Sequence, residues 1–330
     1  MSRMDFAVRA MTENDLPAVA EIEAGVFTDW YRMNRKPQDP LPERSIDSLR
    51  YTTALDPEAN LVAIAADGAM VGFILARTWG RVGWFGTFGV PTQFQGMGIG
   101  SILVDHVLDY LRPRADIIGL ETMPESGPNL GLYSRAGFGV TFPTLIMELS
   151  LVRTADRYNG GDATELTTWS GSDAGVRRRA QVSIREISGE LLPGLDYSRE
   201  VSVFQEHGLG ETFFARGDSG RLDGFASLRT VPFRSQDTSG RGYIHILAIR
   251  PGVDERAVLH DLLRQIWSRG ASLGLTQIIT GVNGRYRDAV ALLLDSGFLG
   301  VRAAIRMAAV DSLPDAFSVS GGVNLSRWAG

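Results

Sequence analysis

Three glycines stand at alternate positions in the segment 91–101, which reads PTQFQGMGIGS. Because glycine lacks a Cβ, a ligand can approach the backbone of such a segment closely. The segment lies between a strand-like stretch that ends near Val90 and a helix-like stretch that begins near Gly98. The start of a helix offers free N–H groups and a positive dipole end to an anion. The pattern therefore indicates a phosphate cradle, with a simple tight turn as the alternative.

Two common phosphate-binding loops do not fit this segment. The dinucleotide pattern G-x-G-x-x-G, started at Gly96, requires glycine where the chain has Ser101. The nucleoside triphosphatase loop requires a lysine next to Ser or Thr. The only lysine in the sequence is Lys36, so this second loop is excluded. The glycines therefore indicate a different phosphate-bearing ligand.

The composition is that of an ordinary globular protein. The 330 residues are 44% hydrophobic and 22% charged, with a formal net charge of -5, and this length favours two domains. The sequence has no cysteine, which excludes disulfides, thiolate metal sites and a cysteine nucleophile. The histidines lack metal-ligand spacing, so no metal is expected.

The charge and hydropathy patterns also bear on partners and location. The acidic balance lacks the basic face that nucleic-acid binding requires. No apolar run is long enough to cross a bilayer, and the first residues lack the apolar segment of a signal peptide. The sequence therefore predicts a cytoplasmic protein with no nucleic-acid or membrane partner. The excess of arginine over lysine is typical of a GC-rich bacterial genome.

Hydrophobic periodicity predicts a mixed sheet in the first half of the chain. Strands are predicted at 5–10, 61–66, 71–78, 83–90, 116–123 and 144–151, and helices at 12–27, 43–54, 99–114 and 129–138. A run of antiparallel strands that leads into a strand–helix–strand unit gives a mixed, mostly antiparallel sheet flanked by helices.

The second half repeats this order. Strands are predicted at 163–169, 211–216, 223–230, 243–250 and 275–282, and helices at 173–188, 255–270 and 288–298. The dipeptide Gly137-Phe138 recurs as Gly297-Phe298, which indicates an internal duplication of about 160 residues. The fold class is therefore α/β, with two related domains in tandem. The predicted divisions are a first domain at 1–151, a linker at 152–162, a second domain at 163–310 and an unassigned tail at 311–330.

The glycine segment resembles the pyrophosphate loop of the GNAT acyltransferase superfamily, Gln/Arg-x-x-Gly-x-Gly/Ala. Gln95, Gly98 and Gly100 stand at the matching positions. A second family motif, Leu-Tyr-x-x-x-Gly-Phe, matches residues 132–138. The resemblance covers about residues 4–151, and the second half matches in outline only. It implies an N-acetyltransferase of the tandem type that takes acetyl-CoA as its acyl donor.

The resemblance also implies where acetyl-CoA binds. The sheet of these proteins opens beside the strand that precedes the loop, and the pantetheine arm pairs with that strand while the loop N–H groups hold the pyrophosphate. In this chain Pro91 directly follows the last strand residue, one place earlier than in many relatives, so the local path is expected to differ slightly. The implied cofactor-binding residues are Phe88, Gly89, Val90, Gln95, Gly96, Met97, Gly98, Ile99, Gly100, Ser101, Asn129 and Tyr133.

The implied chemistry is direct attack of an amine on the thioester in a ternary complex, without an acyl-enzyme. The amine must lose a proton and the departing thiolate must gain one. Tyr133, at the tyrosine of the second motif, is the predicted acid, and a packed core tyrosine is the alternative. Glu121 is the predicted base, with Glu125 as a second candidate, although each also fits a solvated surface acid. Three further acids, on or after the first helix, fit either a solvated helix face or a site for a cationic acceptor: Glu21, Glu23 and Asp29.

The second half has lost the corresponding residues. Its loop glycines are replaced by Glu255, Ala257 and Leu259, and Leu293 stands at the tyrosine position. Two adjacent acids at 254 and 255 would repel a pyrophosphate. We therefore expect a degenerate second domain that serves packing, the acceptor pocket or a homodimer interface, with non-standard binding of CoA as the alternative.

The overall prediction is a transferase that moves an acetyl group from acetyl-CoA to an amine. Two alternatives stay open at this point. One is a non-catalytic acyl-CoA-binding or sensor protein of the same fold, and the other is a transferase that uses a longer acyl-CoA. The sequence leaves the acceptor open among small amines, amino acids, antibiotics, peptide N-termini and protein lysines.

Overall fold

A computed structural model describes residues 5–34, 39–158, 167–217, 220–312 and 321–326. Its strands form one twelve-stranded sheet in the order β1-β2-β3-β4-β5-β11-β6-β10-β12-β9-β8-β7. The strands are β1 (Phe6–Ala10), β2 (Leu61–Ala65), β3 (Met70–Trp79), β4 (Val82–Gly89), β5 (Ile117–Thr122), β6 (Phe138–Ser150), β7 (Gly210–Arg216), β8 (Leu222–Arg229), β9 (Arg241–Ile249), β10 (Gln277–Asn283), β11 (Leu299–Ala309) and β12 (Val323–Ser326). The helices are α1 (Leu16–Asn34), α2 (Ile46–Leu55), α3 (Ile99–Leu111), α4 (Gly127–Arg135), α5 (Ala155–Tyr158), α6 (Ala174–Leu191), α7 (Ser198–Glu206), α8 (Glu255–Ser272) and α9 (Arg287–Asp295).

The first half places helices on both faces of its strands. Strands β1 to β4 are antiparallel, and β4 and β5 run parallel. Phe73 and Ile74, which are neighbours on β3, point to opposite faces, and both are fully buried. Phe73 packs against Leu16 of α1 and Leu49 of α2, whereas Ile74 packs against Leu103 of α3. Coverage of both faces explains why these strands are apolar without alternation.

The second half repeats this arrangement, with one helix that the sequence did not predict. Strands β7, β8 and β9 are antiparallel. Phe213 belongs to the hydrophobic core between the sheet and α8, and Phe214 belongs to the core between the sheet and α6. Helix α6 extends the predicted helix 173–188 to Leu191. Helix α7 has a buried glutamate, Glu200, on its inner face, and this polar residue interrupts the apolar period that would have revealed the helix.

Each half supplies the last strand of the other half's sheet. Strand β11 of the second half pairs with β5 of the first, and β6 of the first half pairs with β10 of the second. Between them β6 and β11 pair with one another. The two predicted domains therefore share one continuous sheet, and the division at residues 151 and 163 stays a prediction.

Other boundaries differ from the predicted ones. Within the predicted linker, residues 155–158 form α5, whose Tyr158 stacks on Trp267. The predicted strand 163–169 lies largely outside the described residues, although Thr168 forms a bridge to Phe213. Within the unassigned tail, Val323–Ser326 form β12, which is inserted between β9 and β10. Among the described helices, none combines the length and the apolar character that a bilayer crossing requires.

A buried carboxylate links the two halves. Glu200 of α7 accepts a short hydrogen bond from the Tyr51 hydroxyl, one of 2.9 Å from Trp79 Nε1, and one of 2.6 Å from His245 Nε2. Tyr51 and Trp79 belong to the first half. Burial alone would raise the pKa of Glu200, but the hydrogen bond from His245 and the charges of His245 and Arg77 lower it to about 2. Burial also disfavours the charged form of His245, and for a histidine this lowers the pKa.

We expect Glu200→Gln to lower the free energy of unfolding by about 2–4 kcal/mol at pH 7, because it removes a buried charge that three donors satisfy. The native pKa of Glu200 lies below its unfolded value, so this stabilisation is present above pH ~4.3 and is lost as the pH falls toward 2. Urea unfolding across this pH range measures it. Glu186→Gln is the control, because this half-exposed carboxylate lies 4.0 Å from Arg250 and should change stability by less than about 1 kcal/mol. Equal effects of the two changes would contradict a special role for Glu200.

Candidate active site

The glycine segment forms a turn and then the start of α3. Gly96 and Gly98 have φ values of 78° and 86°, in the left-handed region that favours glycine. A Cβ at either position would meet no atom within 4 Å, whereas one at Gly100 would lie 3.0 Å from the Phe88 ring. Gly96 and Gly98 are therefore needed for the backbone turn, and Gly100 for close packing of α3 on β4. Open space remains above the first two glycines.

The first turn of α3 presents unpaired N–H groups to this space. The Ile102 N–H bonds to the Gly98 carbonyl at 3.2 Å, so the N–H groups of Ile99, Gly100 and Ser101 precede the first helical hydrogen bond. The side chain of Gln95 closes the base of the loop by donating to the Val90 carbonyl at 3.0 Å. This arrangement can bind an anion through backbone donors and the helix dipole.

The sheet opens beside this loop. The parallel pairing of β4 with β5 runs from Val82 to Phe85 and ends there. Beyond Phe85, β4 continues to Gly89 and stays paired with β3 on its other side. The edge of β4 that faces away from β3 is thus available, over residues 86–89, to an extended ligand. A cleft of ≈ 1520 Å³ runs along this edge, and its lining includes residues 85–90 and the loop.

The cleft brings together most of the predicted cofactor residues. Phe88, Gly89, Val90, Gln95, Gly96, Gly98, Ile99, Gly100, Ser101, Asn129 and Tyr133 line it. Met97 does not line the cleft, and its side chain is 40% exposed. No group of three or more potential metal-ligating side chains is found among the described residues.

Tyr133 lies on α4 at the inner end of the cleft. It is 5% exposed, and its ring packs edge-on against Phe85 with the centroids 5.8 Å apart. Burial raises the pKa of its hydroxyl well above the usual value. Tyr133 therefore keeps its proton at neutral pH and is available as a hydrogen-bond and proton donor.

Glu121 lies on β5, and the other half of the chain holds it in place. Arg306 of β11 donates to Glu121 Oε1 from Nε at 3.0 Å and from Nη2 at 2.8 Å. Thr144 of β6 donates to the same oxygen. No described residue donates to Oε2, and Glu121 lines the cleft. The carboxylate is thus fixed through one oxygen, and the other remains for a ligand or water. The sequence could not reveal Arg306, which stands 185 positions away.

The other predicted acids are placed differently. Glu125 lines the cleft at its exposed margin, whereas Glu21 is exposed on α1 and does not line it. Glu23 is buried and pairs with Arg44 at 3.5 Å and with Arg234 at 3.3 Å. Asp29 accepts a hydrogen bond of 2.9 Å from Thr92 Oγ1. Glu23 therefore ties α1 to the second half through Arg234.

The second half forms part of the cleft, through residues that sequence reasoning did not name. Phe233, Tyr243 and Ile279 line it together with Ile146 of β6, and these four residues form one apolar cluster. Glu148 of β6 lies beside them and accepts a hydrogen bond of 2.8 Å from Gln277. Alternation along β6 places residues 144, 146 and 148 on the same face of the sheet. The cleft therefore extends from the Glu121 anchor to a surface built by the second half.

In the described part of the second half, the residues at the corresponding positions make structural contacts. The residue at its tyrosine position, Leu293, is fully buried. Asp254 caps α8 by accepting from the Ala257 N–H at 3.0 Å, so the start of this helix is satisfied by the chain itself. Asp254, which precedes the acid at the first glycine position, thus has a structural partner.

Comparison with known proteins supports the same interpretation. Residues 25–138 match the family model of the acetyltransferase (GNAT) family. The N-alpha-acetyltransferase RimI of Mycobacterium tuberculosis is 27% identical over 168 residues, which cover 50% of this chain and 92% of that protein. The mycothiol acetyltransferase of Clavibacter sepedonicus is 29% identical over 136 residues, which cover 38% of this chain and 45% of that protein.

Solved structures share the whole fold. A putative acetyltransferase from Pyrococcus horikoshii matches with a TM-score of 0.70 and 18% identity, over 100% of this chain and 97% of that one. A tandem GNAT protein from the clavulanic acid biosynthesis pathway matches with a TM-score of 0.61 and 14% identity, over 92% of this chain and 98% of that one. The tandem arrangement predicted from the sequence is confirmed at the level of the fold.

We expect Gly98→Glu to weaken acetyl-CoA binding at least ~100-fold, because it places bulk and negative charge at the start of α3. Isothermal calorimetry measures the affinity. Gly68→Glu is a matched control, since Gly68 has a φ of 88° and equally open surroundings in the turn between β2 and β3. Both changes carry the same backbone strain, of about 1 kcal/mol. Unchanged binding by the Gly98 variant would overturn the assignment of the loop.

Proposed function

We propose that this chain, whose residues 25–138 match the acetyltransferase (GNAT) family, transfers an acetyl group from acetyl-CoA to an amine by direct attack. One observation carries the proposal. The open edge of β4, the unpaired N–H groups at the start of α3 and the protonated hydroxyl of Tyr133 all face one cleft. Along its length, a phosphate-bearing thioester needs a proton donor at the thioester, a strand edge at the pantetheine arm and N–H donors at the pyrophosphate.

The donor would lie along β4 with its pyrophosphate at α3. Gly96 and Gly98 leave room for the phosphates, and the N–H groups of residues 99–101 supply the donors. The free edge of residues 86–89 offers backbone hydrogen bonds to the amides of the pantetheine arm. These contacts would fix the thioester near Phe85 and Tyr133 and exclude water from it.

Tyr133 is the proposed acid. The nitrogen lone pair of the amine forms the new C–N bond, and the C–S bond breaks with its electron pair on sulfur. A proton on the Tyr133 hydroxyl can pass to that thiolate as it leaves, because burial keeps the hydroxyl protonated. Tyr133 has no hydrogen-bond partner among the described residues, so its hydroxyl is free to face a bound sulfur.

Glu121 is the proposed base, directly or through water. The two hydrogen bonds from Arg306 hold the carboxylate through Oε1 and so fix the direction of Oε2. A carboxylate in this position attracts the protonated amine before the proton leaves. Glu125 remains the second candidate, at the exposed margin of the cleft.

The acceptor would bind across both halves. The apolar surface of Phe233, Tyr243 and Ile279 lies on the second half. Beside it, Gln277 accepts a hydrogen bond from Arg241 and donates one to Glu148. This surface favours an amine attached to an apolar group rather than a small hydrophilic amine. The most direct test is a screen of amines with detection of released thiol. Acetyl-CoA-dependent release with some amine supports the proposal, and binding of acetyl-CoA without transfer to any amine favours a sensor.

We expect Tyr133→Phe to lower kcat about 100-fold or more with little change in the affinity for acetyl-CoA, because the acid is lost while the packed ring stays. Thiol release gives kcat, and calorimetry gives the affinity. Tyr110→Phe is the control, since the Tyr110 hydroxyl donates to Asp56 outside the cleft. An unchanged kcat in the Tyr133 variant would remove this residue from the mechanism.

For Glu121→Gln we expect a decrease in kcat of about 10- to 100-fold. The decrease should be larger near neutral pH than at alkaline pH, because more of the amine is protonated near neutral pH and a base is then needed to remove the proton. Acetyl-CoA affinity should stay the same. Arg306→Lys tests the anchoring, because lysine keeps the charge but loses the double contact to Oε1. If Glu121→Gln changes only stability and leaves the pH profile of kcat as it was, the base must be sought elsewhere.

A further inference from the structure

The sheet also opens in the second half, and the opening is filled by the chain itself. Strands β9 and β10 are paired in parallel at Arg241, Gly242 and Tyr243 and then separate. Strand β12 lies between them. It is antiparallel to β9, from Val323 opposite Ile249 to Ser326 opposite Ile246, and it also pairs with β10.

The filled opening is the counterpart of the cleft in the first half. By the internal repeat, Ile249 corresponds to Val90, so β12 lies along the same strand edge that is free in β4. Strand β12 starts beside the loop that precedes α8 and runs inward, away from that loop. An extended acyl-CoA arm would follow this direction in the first half.

Both faces of β12 are complementary to their surroundings. Val323 and Leu325 are fully buried in the core that α8 covers. Asn324 and Ser326 point the other way and accept hydrogen bonds from the Tyr197 hydroxyl, at 3.2 Å and 3.3 Å. The opening therefore selects a strand that alternates apolar and small polar side chains.

The residues before β12 contact the start of α8. Gly321 and Gly322 have φ values of 93° and 78°. A Cβ at Gly322 would lie 2.3 Å from Leu191 Cδ2, so only glycine fits there. The Gly322 N–H donates to Glu255 Oε1 at 2.6 Å. A peptide N–H thus meets an acid at the place where the first half offers N–H groups to an anion.

We propose that the opening in the second half is a binding site for an extended peptide strand, whose ligand is the chain's own segment 321–326, and that it has no capacity for acyl-CoA. The inversion of charge at Glu255 favours a peptide donor and disfavours a phosphate. The site also supports the proposed acceptor surface, because the two strands that β12 joins carry Tyr243 and Ile279.

The test uses the full chain with a protease site inserted between Ser312 and Gly321. After cleavage of the folded protein, the C-terminal fragment should stay bound through gel filtration. An excess of a labelled peptide with the sequence of residues 321–326 should exchange into the site, and excess acetyl-CoA should not release the fragment. The same peptide with Leu325→Asp should bind at least ~100-fold more weakly, because it would bury an unpaired charge.

Three results would overturn the proposal. These are release of the fragment on cleavage without a change in melting temperature, equal exchange of the two peptides, and release of the fragment by acetyl-CoA. Hydrogen exchange on the unmodified chain gives a second measurement that does not depend on the insertion. Amides of residues 323–326 should exchange as slowly as those of β8, and fast exchange there would contradict a strand bound in the opening.

Discussion

The pairing of β6 with β11 joins the two halves into one sheet, and the positions of the site residues follow from it. Strand β5 of the first half is completed by β11, and β10 of the second half is completed by β6. Buried strand edges must have their N–H and C=O groups paired, so neither half has a complete sheet alone. Because of this exchange, Arg306 can anchor Glu121, and the second half can form a wall of the cleft.

A second constraint is that each half separates a pair of parallel strands. The separated edges of β4 and β9 carry backbone groups that need partners. In the second half the chain satisfies them with β12, and an acidic residue receives the peptide at the start of α8. In the first half the edge is free, the helix start lacks such an acid, and glycines leave open space above it. One fold is thus used twice, with an internal strand in one opening and room for a substrate in the other.

The sequence predicted the parts that depend on local pattern. The glycine spacing located the loop between β4 and α3, periodicity gave most strands within a few residues, and the repeated Gly-Phe pair revealed the duplication. Tyr133, the predicted acid, lines the cleft, and its role stays a prediction. These features depend on residues close together in the chain, where backbone preference and apolar period are informative.

What escaped prediction depends on contacts between distant residues. The alternation along β6 shows which residues share a face, but it does not show whether β5 or β10 is the neighbour. The partnership of Glu121 with Arg306 follows from that choice, and so does the apolar surface of Phe233, Tyr243 and Ile279. Strand β12 was missed because a four-residue strand gives little periodic signal. Helix α7 was missed because Glu200 interrupts its apolar face.

We propose that one fold, present twice in this chain, provides one acyl-CoA site. Isothermal titration of the full chain with acetyl-CoA tests it most directly, since the stoichiometry counts the sites regardless of the acceptor. We expect one molecule of acetyl-CoA per chain. Two equivalent molecules per chain would contradict it, because the second would have to displace β12 and bind beside Glu255.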